Sequence, residues 1–427
     1  MHVFFSGIGG AGHSGLALLA HQAGYKVSGS DLNESSYTQY LKKHGVSDIH
    51  IGQTAEQIAA VHSKGPIDWF VYTSALPSNH PELEFCRQNN IRASKRDEFL
   101  NELIKEKGLK LIAVAGTHGK TTTTAMAIWL FKQCGVPVSY LMGGKISFGE
   151  LAALDSQSQY FIYECDEFDR NFLNFYPEAS LIAGIDWDHP DIYPTVESYY
   201  QAFNEFIGQS TKTYLWHDDA EKLALSAGVN LKILDEKDTQ VDVKMHLAGH
   251  VNRLDAWLVA HSLQPLLGKP LEELFEKLNQ FPGVSRRFEK LADNLYTDYA
   301  HTPPKIRGAL QLAHEVAGDK VVVIYEGLHN TRQHFIKKDL ANLFDSAKKL
   351  YVVPSYLARE DESLEMLTPK KLLDLLSNSA KDRADAAKLD DDLKQKIQSH
   401  TSSGDLVLAL SAGGSGSLDE WLRKEFP

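Results

Sequence analysis

Short apolar runs alternate with amphipathic stretches along most of the chain, and many of the runs end at a glycine or an acidic residue. Runs of this length between turn residues are typical of buried strands, and the longer amphipathic stretches are typical of helices. The pattern therefore predicts an α/β protein. Predicted strands begin the segments 2–5, 26–31, 67–75, 111–115, 160–169, 181–193, 296–313, 320–327, 349–355 and 405–426.

Helices are predicted between and after these strands. At 427 residues the chain exceeds the size at which one core keeps growing, so several domains are expected. A charged turn and a Pro-Gly break divide it into three predicted domains, residues 1–108, 109–282 and 283–427. Predicted helices cover residues 80–90, 95–108, 121–135, 246–268, 340–347 and 380–398, and the last of these is polar and solvent-facing. The segments 296–313 and 405–426, which begin as strands, are each predicted to end in a helix.

The strongest chemical signal follows the run 111–115. Gly116 breaks the run, and Gly119, Lys120 and Thr121 open a helix. A strand, a glycine turn and a helix N-terminus form an anion site, in which lysine meets terminal phosphates and threonine meets a phosphate-bound Mg²⁺. Val114 stands where the usual phosphate loop has its first glycine. The alternative is an ordinary strand-to-helix turn with a chance Gly-Lys pair, but the pattern favours a nucleotide-phosphate site.

A second glycine pattern opens the chain. Gly7, Gly9 and Gly12 follow the first strand, and Asp31 ends the next one, at the distance of a ribose-binding acid in dinucleotide folds. The pattern favours a nucleotide over glycines that serve only packing. A nicotinamide-dependent oxidoreductase is the alternative function, and it rests on this pattern alone.

Acidic residues cluster after two predicted strands of the middle segment. Such a cluster is repulsive unless a cation lies in it, and strand ends of an open α/β sheet are where ligands bind. Beside a phosphate loop, the pattern predicts a Mg²⁺–ATP site, although a solvated acidic turn is the alternative. The residues are Glu164, Asp166, Glu167 and Asp169, then Asp188, His189 and Asp191.

Composition excludes several classes of protein. A formal net charge of −12 disfavours a general nucleic-acid binder, and no apolar run approaches the roughly 18 residues of a membrane helix. Three scattered cysteines and the lack of a signal-peptide pattern predict a cytoplasmic protein. Gly413, Gly414 and Gly416 form either another anion loop or, as we favour, a simple turn.

The order of these motifs resembles the Mur-type ATP-dependent amino-acid ligases of peptidoglycan synthesis. The motifs are GIGGAGHSG, GSD, TSA with NHPE, AGTHGKTTTT, ECDE, DHPDIY, RRF and DYAHTPP. The resemblance implies a Rossmann-like N-terminal domain for a UDP-sugar, a central P-loop-type ATPase domain and a Rossmann-like C-terminal domain for the amino acid. It further implies that ATP and Mg²⁺ are used to join L-alanine to the lactyl carboxylate of UDP-N-acetylmuramate through an acyl-phosphate. A ligase that recycles a tripeptide onto the same sugar nucleotide is the alternative within the family.

The resemblance also implies roles for individual residues, in a monomer or weak homodimer that binds neither nucleic acid nor membrane. Catalytic roles fall on Lys120, Glu164, His189 and Arg287, and metal binding on Thr121, Glu164 and His189. ATP binding falls on Gly116, Thr117, His118, Gly119, Lys120, Thr121, Thr122 and Asn252. The UDP-sugar set is Gly7, Gly9, Gly10, Gly12, Asp31 and Ser74, and the amino-acid set is Tyr299, His301 and Arg332.

Two motifs depart from the family pattern. In the helix for which the resemblance implies contact with adenine, Val251 replaces a histidine and Asp255 replaces a second asparagine. In the third domain, residues 327–332 read GLHNTR where the family has P-H-R-Y-T-R. The second departure puts the identity of the amino acid in doubt.

Overall fold

The computed structural model describes residues 1–73, 76–189, 192–357, 360–414 and 416–426. It contains three sheets that are mainly parallel, so the predicted α/β class is confirmed. The chain folds into two compact units. The first unit comprises residues 1–241 and 255–281, and the second comprises residues 242–254 and 282–427.

The first sheet is fully parallel, with strand order β3-β2-β1-β4-β5. This is a doubly wound order, which reverses between β1 and β4 and opens a crevice at their carboxyl ends. Its strands are β1 His2–Ser6, β2 Lys26–Asp31, β3 Ile49–Ile51, β4 Trp69–Tyr72 and β5 Arg92–Lys95. Its helices are α1 Ala11–Gln22, α2 Ser36–Lys43, α3 Ala55–Lys64, α4 Pro81–Gln88 and α5 Arg96–Glu106.

The second sheet has the order β12-β11-β10-β6-β9-β7-β8, and only the β7–β8 pair is antiparallel among its paired strands. Since β6 lies between β10 and β9, the carboxyl ends of these three strands meet at one edge. The strands are β6 Lys110–Ala115, β7 Ser139–Leu141, β8 Ala152–Ala153, β9 Tyr160–Glu164, β10 Ala179–Ile182, β11 Thr213–Trp216 and β12 Leu231–Leu234. The helices are α6 Lys120–Gln133, α7 Val196–Gln209, α8 His217–Lys222, α9 Val241–Lys244, α10 His250–Leu267 and α11 Leu271–Leu278, with 3₁₀ turns at Phe168–Asn174 and Glu236–Asp238.

The third sheet has the order β13-β14-β18-β15-β16-β17, with β13 antiparallel to β14 and the other pairs parallel. Its strands are β13 Glu289–Ala292, β14 Leu295–Asp298, β15 Val321–Leu328, β16 Lys349–Tyr356, β17 Ala384–Ala386 and β18 Leu406–Leu410. Its helices are α12 Pro303–Ala317, α13 Asn330–Ile336, α14 Pro369–Asp374, α15 Asn378–Lys381, α16 Asp391–Ser402 and α17 Leu418–Glu425.

Two predicted helices of the last segment are wrong. Residues 340–347 form successive turns, whose apolar side chains Leu340, Leu343 and Phe344 are nevertheless buried in the core. The predicted helix 380–398 is interrupted by β17, which pairs with β16 at the sheet edge. In both places packing on the sheet overrides the local helical pattern.

One apolar core cluster joins the first two sheets. It runs from Val3 and Leu16 of the first sheet's layer to Phe161 and Phe203 around the second. The third sheet has its own cores on its two faces. The three predicted domain boundaries stay a prediction. None of the helices within the described ranges combines the length and apolar character needed to cross a membrane.

Candidate active site

Two residues of the turn between β6 and α6 have positive φ angles, which only glycine adopts readily. Gly116 has φ +134°, and a Cβ there would lie 2.8 Å from the carbonyl oxygen of Gly184. Gly119 has φ +75° and is the N-cap of α6. The turn therefore delivers the chain directly into a helix N-terminus, whose amides and dipole suit a phosphate.

Lys120, the first residue of α6, points back across this turn. Its Nζ donates to Gly116 O at 2.7 Å and to Glu167 Oε2 at 2.6 Å, and lies 3.8 Å from Asp166 Oδ1. Burial works to lower the pKa of Lys120, but the carboxylates of Glu167, Asp166 and Glu164 outweigh it and raise the pKa. The ammonium group is therefore a fixed positive charge at the turn.

Glu167 is the centre of this cluster. Its side chain is 1% exposed, and its Oε1 lies 3.7 Å from His189 Nε2 while Tyr199 donates to the same oxygen at 3.4 Å. The Tyr193 hydroxyl also donates to the Glu167 carbonyl oxygen at 2.5 Å. The sequence identified Glu167 only as one of several carboxylates. The signal for its particular role is contact with Lys120, which is not visible in local sequence.

The predicted metal ligands fall into two groups. The Thr121 hydroxyl donates to Glu164 Oε1 at 3.2 Å, whereas His189 lies beside Glu167. A Cβ on Gly143 would lie 2.7 Å from Glu164 Oε2, so the following loop also approaches this carboxylate closely. A hydroxyl and carboxylates are hard oxygen donors of the kind that suit Mg²⁺. The metal roles of these residues stay predictions.

Thr117 and His118 fix the turn to the segment after β10. Thr117 accepts from Asp186 N at 2.9 Å and donates to Asp186 O at 2.7 Å, and its own amide donates to Gly184 O. His118 Nε2 lies 3.0 Å from Asp186 Oδ2, and this hydrogen bond is the main cause of a lowered pKa of Asp186. In this structure both side chains contact protein groups, and their predicted ATP contacts, like that of Thr122, remain untested.

The N-terminal glycine loop lies at the crevice of the first sheet. Asp31 Oδ2 accepts from Gly9 N at 2.8 Å, and Ser35 Oγ donates to Gly9 O at 3.1 Å. Gly7 has φ +76°, and a Cβ on Gly12 would lie 2.7 Å from Arg96 Nη1. Asp31 thus stabilises the loop itself, a role the sequence did not predict. Ser74 lies outside the described residues.

A cavity of about 270 Å³ lies beside α2. Tyr37 and Tyr40 of α2 form one side, and Lys145 and Ile146 form the other. The cavity therefore joins the layer of the first sheet to the loop that approaches Glu164. Its position suits a ligand that extends from the first sheet towards the second.

The predicted amino-acid residues come together within the second unit. His301 is 7% exposed, and its Nδ1 lies 2.8 Å from Tyr299 O. Burial lowers the pKa of His301 well below its ordinary value, and the cations Lys305, Arg332 and Arg287 act in the same direction. A neutral imidazole therefore lies among three cationic side chains, an environment that suits an anionic ligand.

Arg287, one of the predicted catalytic residues, follows Arg286 in the second unit. Arg286 donates to the carbonyl oxygens of Ser411 and Gly413 at 3.1 and 2.9 Å, so it holds the fold of the second unit. The guanidinium carbon of Arg287 lies 5.0 Å from the Tyr299 ring centre. The guanidinium carbon of Arg286 lies 4.8 Å from the same ring centre, so the catalytic role of Arg287 stays a prediction. Asn252, also of the second unit, donates to Ala248 O at 2.8 Å, and its predicted adenine contact is untested.

A glycine turn with a buried lysine, beside carboxylates at the edge of a parallel sheet, defines an α/β enzyme that uses a nucleoside triphosphate. Three family models match the chain in order. They are the Mur ligase family catalytic domain over residues 2–107, the Mur ligase middle domain over 114–244, and the Mur ligase glutamate ligase domain over 286–413. The chain belongs to the Mur ligase family. It is therefore an ATP-dependent ligase of peptidoglycan precursor synthesis, in a family that uses ATP and Mg²⁺, and the oxidoreductase alternative is set aside.

Relatives match over almost the whole chain. The UDP-N-acetylmuramate–L-alanine ligase of Clostridium acetobutylicum is 30% identical, with 96% of this chain and 95% of the relative covered. That of Renibacterium salmoninarum is 31% identical, with 96% and 93% covered. The crystal structure of the Thermotoga maritima UDP-N-acetylmuramate–alanine ligase matches with TM-score 0.78 and 25% identity, over 100% of this chain and 98% of that one. A murein peptide ligase from Psychrobacter arcticus matches with TM-score 0.66 over 97% and 96% of the two chains, but at 21% identity it shows the fold alone.

Proposed function

We propose that this ligase joins L-alanine to the lactyl carboxylate of UDP-N-acetylmuramate, with cleavage of ATP to ADP and phosphate. The observation that carries the proposal is the Lys120 ammonium group, which Gly116 O and the Glu167 carboxylate hold at the glycine turn, with His189 beside the same carboxylate. The choice of L-alanine is supported by the names of the relatives that match across the chain at about 30% identity.

In the proposed reaction, Lys120 and the amides at the start of α6 hold the terminal phosphates of ATP. A lactyl carboxylate oxygen attacks the γ-phosphorus, and the bond to ADP breaks to leave an acyl-phosphate. The amine of L-alanine then attacks the acyl carbon, phosphate leaves, and the amine loses a proton. Bound Mg²⁺, held by Thr121 and Glu164 and at a second position by His189, would neutralise phosphate charge, so catalysis is mainly positioning and charge stabilisation.

The assignment of domains belongs to the same proposal. Residues 1–108 bind the UDP-sugar, residues 109–282 bind ATP, and residues 283–427 bind the amino acid. The glycine loop with Asp31, and the cavity beside α2, support the first of these assignments. The enzyme is proposed to act in the cytoplasm as a monomer or weak homodimer.

A second candidate is the ligation of a whole tripeptide to the same sugar nucleotide. The observation that favours it is the altered segment at the end of β15, in which Leu328 and His329 replace a histidine and an arginine of the family pattern. Leucine cannot donate a hydrogen bond to a substrate carboxylate. A larger substrate could use the three cations around His301 for its additional carboxylates.

The test is ADP release by the full chain with MgATP and UDP-N-acetylmuramate, across a panel of amino acids and the tripeptide. We expect L-alanine to give the highest kcat/KM, with glycine and L-serine next. Release that depends on the tripeptide alone would replace the alanine assignment with the second candidate. Release without any amine would argue against ligation as the activity.

Arg332 gives a sharper prediction about the amino acid. A substrate carboxylate needs a fixed cation, and Arg332 is the guanidinium retained from the family motif next to His301. Loss of a charged hydrogen bond costs about 1.5–3 kcal/mol, so we expect Arg332→Ala to raise the KM for L-alanine about 10- to 100-fold. The KM for ATP should change much less, as measured by ADP release.

Arg307→Ala is the matched control, because Arg307 is an exposed arginine on α12 of the same unit. It should leave both KM values near those of the unchanged enzyme. Equal increases in the two KM values for Arg332→Ala would contradict the assignment of Arg332 to the amino acid.

A further inference from the structure

Asp255 is a buried aspartate of the first unit, and it lies on α10 against the phosphate loop. Its side chain is 2% exposed. A Cβ on Gly119 would lie 2.9 Å from Asp255 Oδ1 and 3.1 Å from Oδ2. The carboxyl group therefore packs directly on the left-handed glycine at which α6 begins.

The second neighbour of this carboxyl group is the hydroxyl of Thr123. Thr123 is fully buried, and its amide donates to Gly119 O at 2.9 Å. Its Oγ1 faces the carboxyl, but within the described ranges it meets no group at hydrogen-bond geometry. Burial raises the pKa of Asp255 well above its ordinary value, and the Thr123 hydroxyl lowers it only in part.

The charged groups on the surrounding elements have other partners. On α6, the Lys120 ammonium bonds Glu167. On the segment after β10, Asp186 pairs with His118, and on α10 itself Arg253 forms ion pairs within the second unit. Among the residues that the structure describes, an ionised carboxylate at Asp255 would be buried without a compensating charge, and it would repel the phosphates of ATP.

We propose that Asp255 is a positioning residue of the ATP site that works as a neutral carboxylic acid. Its uncharged carboxyl group packs on Gly119 and offers the loop and the buried Thr123 hydroxyl one neutral donor and one neutral acceptor, as a carboxamide would do in the same place. The acid thereby fixes Gly119 and the first turn of α6 without placing a negative charge at the loop. The inference rests on this loop being the phosphate site and does not depend on which amino acid is ligated.

The first test is the affinity of the full chain for MgATP, measured by calorimetry without sugar nucleotide or amino acid. We expect Asp255→Asn to bind within about threefold of the unchanged protein, because the amide reproduces a neutral donor and acceptor. Asp255→Ala should bind at least about tenfold more weakly, since the loop loses its support. Equal weakening in both variants would overturn the inference alone, whereas lack of MgATP binding by the unchanged protein would overturn the phosphate site as well.

The second test separates a neutral acid from a merely structural contact. A raised pKa means that the folded state holds the proton more tightly than the unfolded state, so the stability due to this group falls as pH rises above about 4. Asparagine does not titrate. The Tm of Asp255→Asn minus that of the unchanged protein should therefore increase with pH between 5 and 9.

A difference that stays constant across this range would show that Asp255 does not hold a proton in the folded state, and would overturn the inference. Asp293→Asn is the control, because the Asp293 side chain is 96% exposed, its partner Lys290 stays charged between pH 5 and 9, and the change likewise removes one negative charge from the chain. The comparison of the two variants removes the effect of net charge on Tm.

Discussion

Replacement of Lys120 by alanine is expected to reduce ligation by about a hundred- to a thousandfold, the usual effect of removing a positioned group that stabilises transition-state charge. The physical reason is the place of the ammonium group, which is bonded to the glycine turn and stays charged among carboxylates. In that place it would meet the charge that develops on the transferring phosphoryl group. The measurement is kcat for ADP release with all three substrates present.

The variant also removes the ion partner of Glu167, so its folding needs a separate check. We therefore include the double variant Lys120→Met with Glu167→Gln, which removes both charges of the pair, and compare thermal denaturation. Lys132→Ala is the matched control, because Lys132 is an exposed lysine in the last turn of the same helix. Near-normal turnover by a folded Lys120→Ala protein would contradict the phosphate-loop assignment.

Glu167→Gln is expected to lower kcat about a hundredfold, since a misplacement of about 1 Å in a reacting group can cost that much in rate. Glu167 is a positioning residue that holds Lys120 at 2.6 Å and lies 3.7 Å from His189. Glutamine keeps the shape of the side chain but removes the negative charge that holds the Lys120 ammonium group beside His189. The fall should appear in kcat more than in the KM for ATP.

The control for this prediction is Glu205→Gln on α7, the helix that also carries Tyr199. Glu205 is 52% exposed and lies 3.6 Å from Arg170, a surface pair that contributes little to stability. It should leave kcat within about twofold. If Glu167→Gln lowers Tm without lowering kcat, Glu167 supports only the fold and the prediction is wrong.

The sequence by itself determined the elements whose signals are local. Central strands such as β1, β6 and β15 are buried on both faces and therefore read as continuous apolar runs. Short edge strands such as β3, β8 and β17 carry no such run. They form because a neighbouring strand offers backbone hydrogen bonds, and that pairing is not visible in the residues of the edge strand itself.

The candidate site likewise contains some residues that local sequence predicts and others that only the tertiary structure identifies. Lys120 and Thr121 were predictable because a strand, a glycine turn and a helix start are contiguous, and the backbone at Gly116 and Gly119 explains why glycine stands there. Only the tertiary structure decided that Glu167 is the carboxylate that holds Lys120. One acid ends β9 and three more follow within five residues, and their order in the chain does not say which side chain is buried next to Lys120.

Asp255 marks the limit of sequence reasoning most clearly. From the sequence alone, Asp255 was identified only as a replacement for asparagine, at a helix position expected near adenine. Contact of α10 with the start of α6 buries its carboxyl group against the phosphate loop, and that burial, with no compensating charge beside it in the described part of the chain, is the basis of the proposal that it is neutral. Burial and charge state depend on what the rest of the chain brings near a side chain, so they are properties of the tertiary structure.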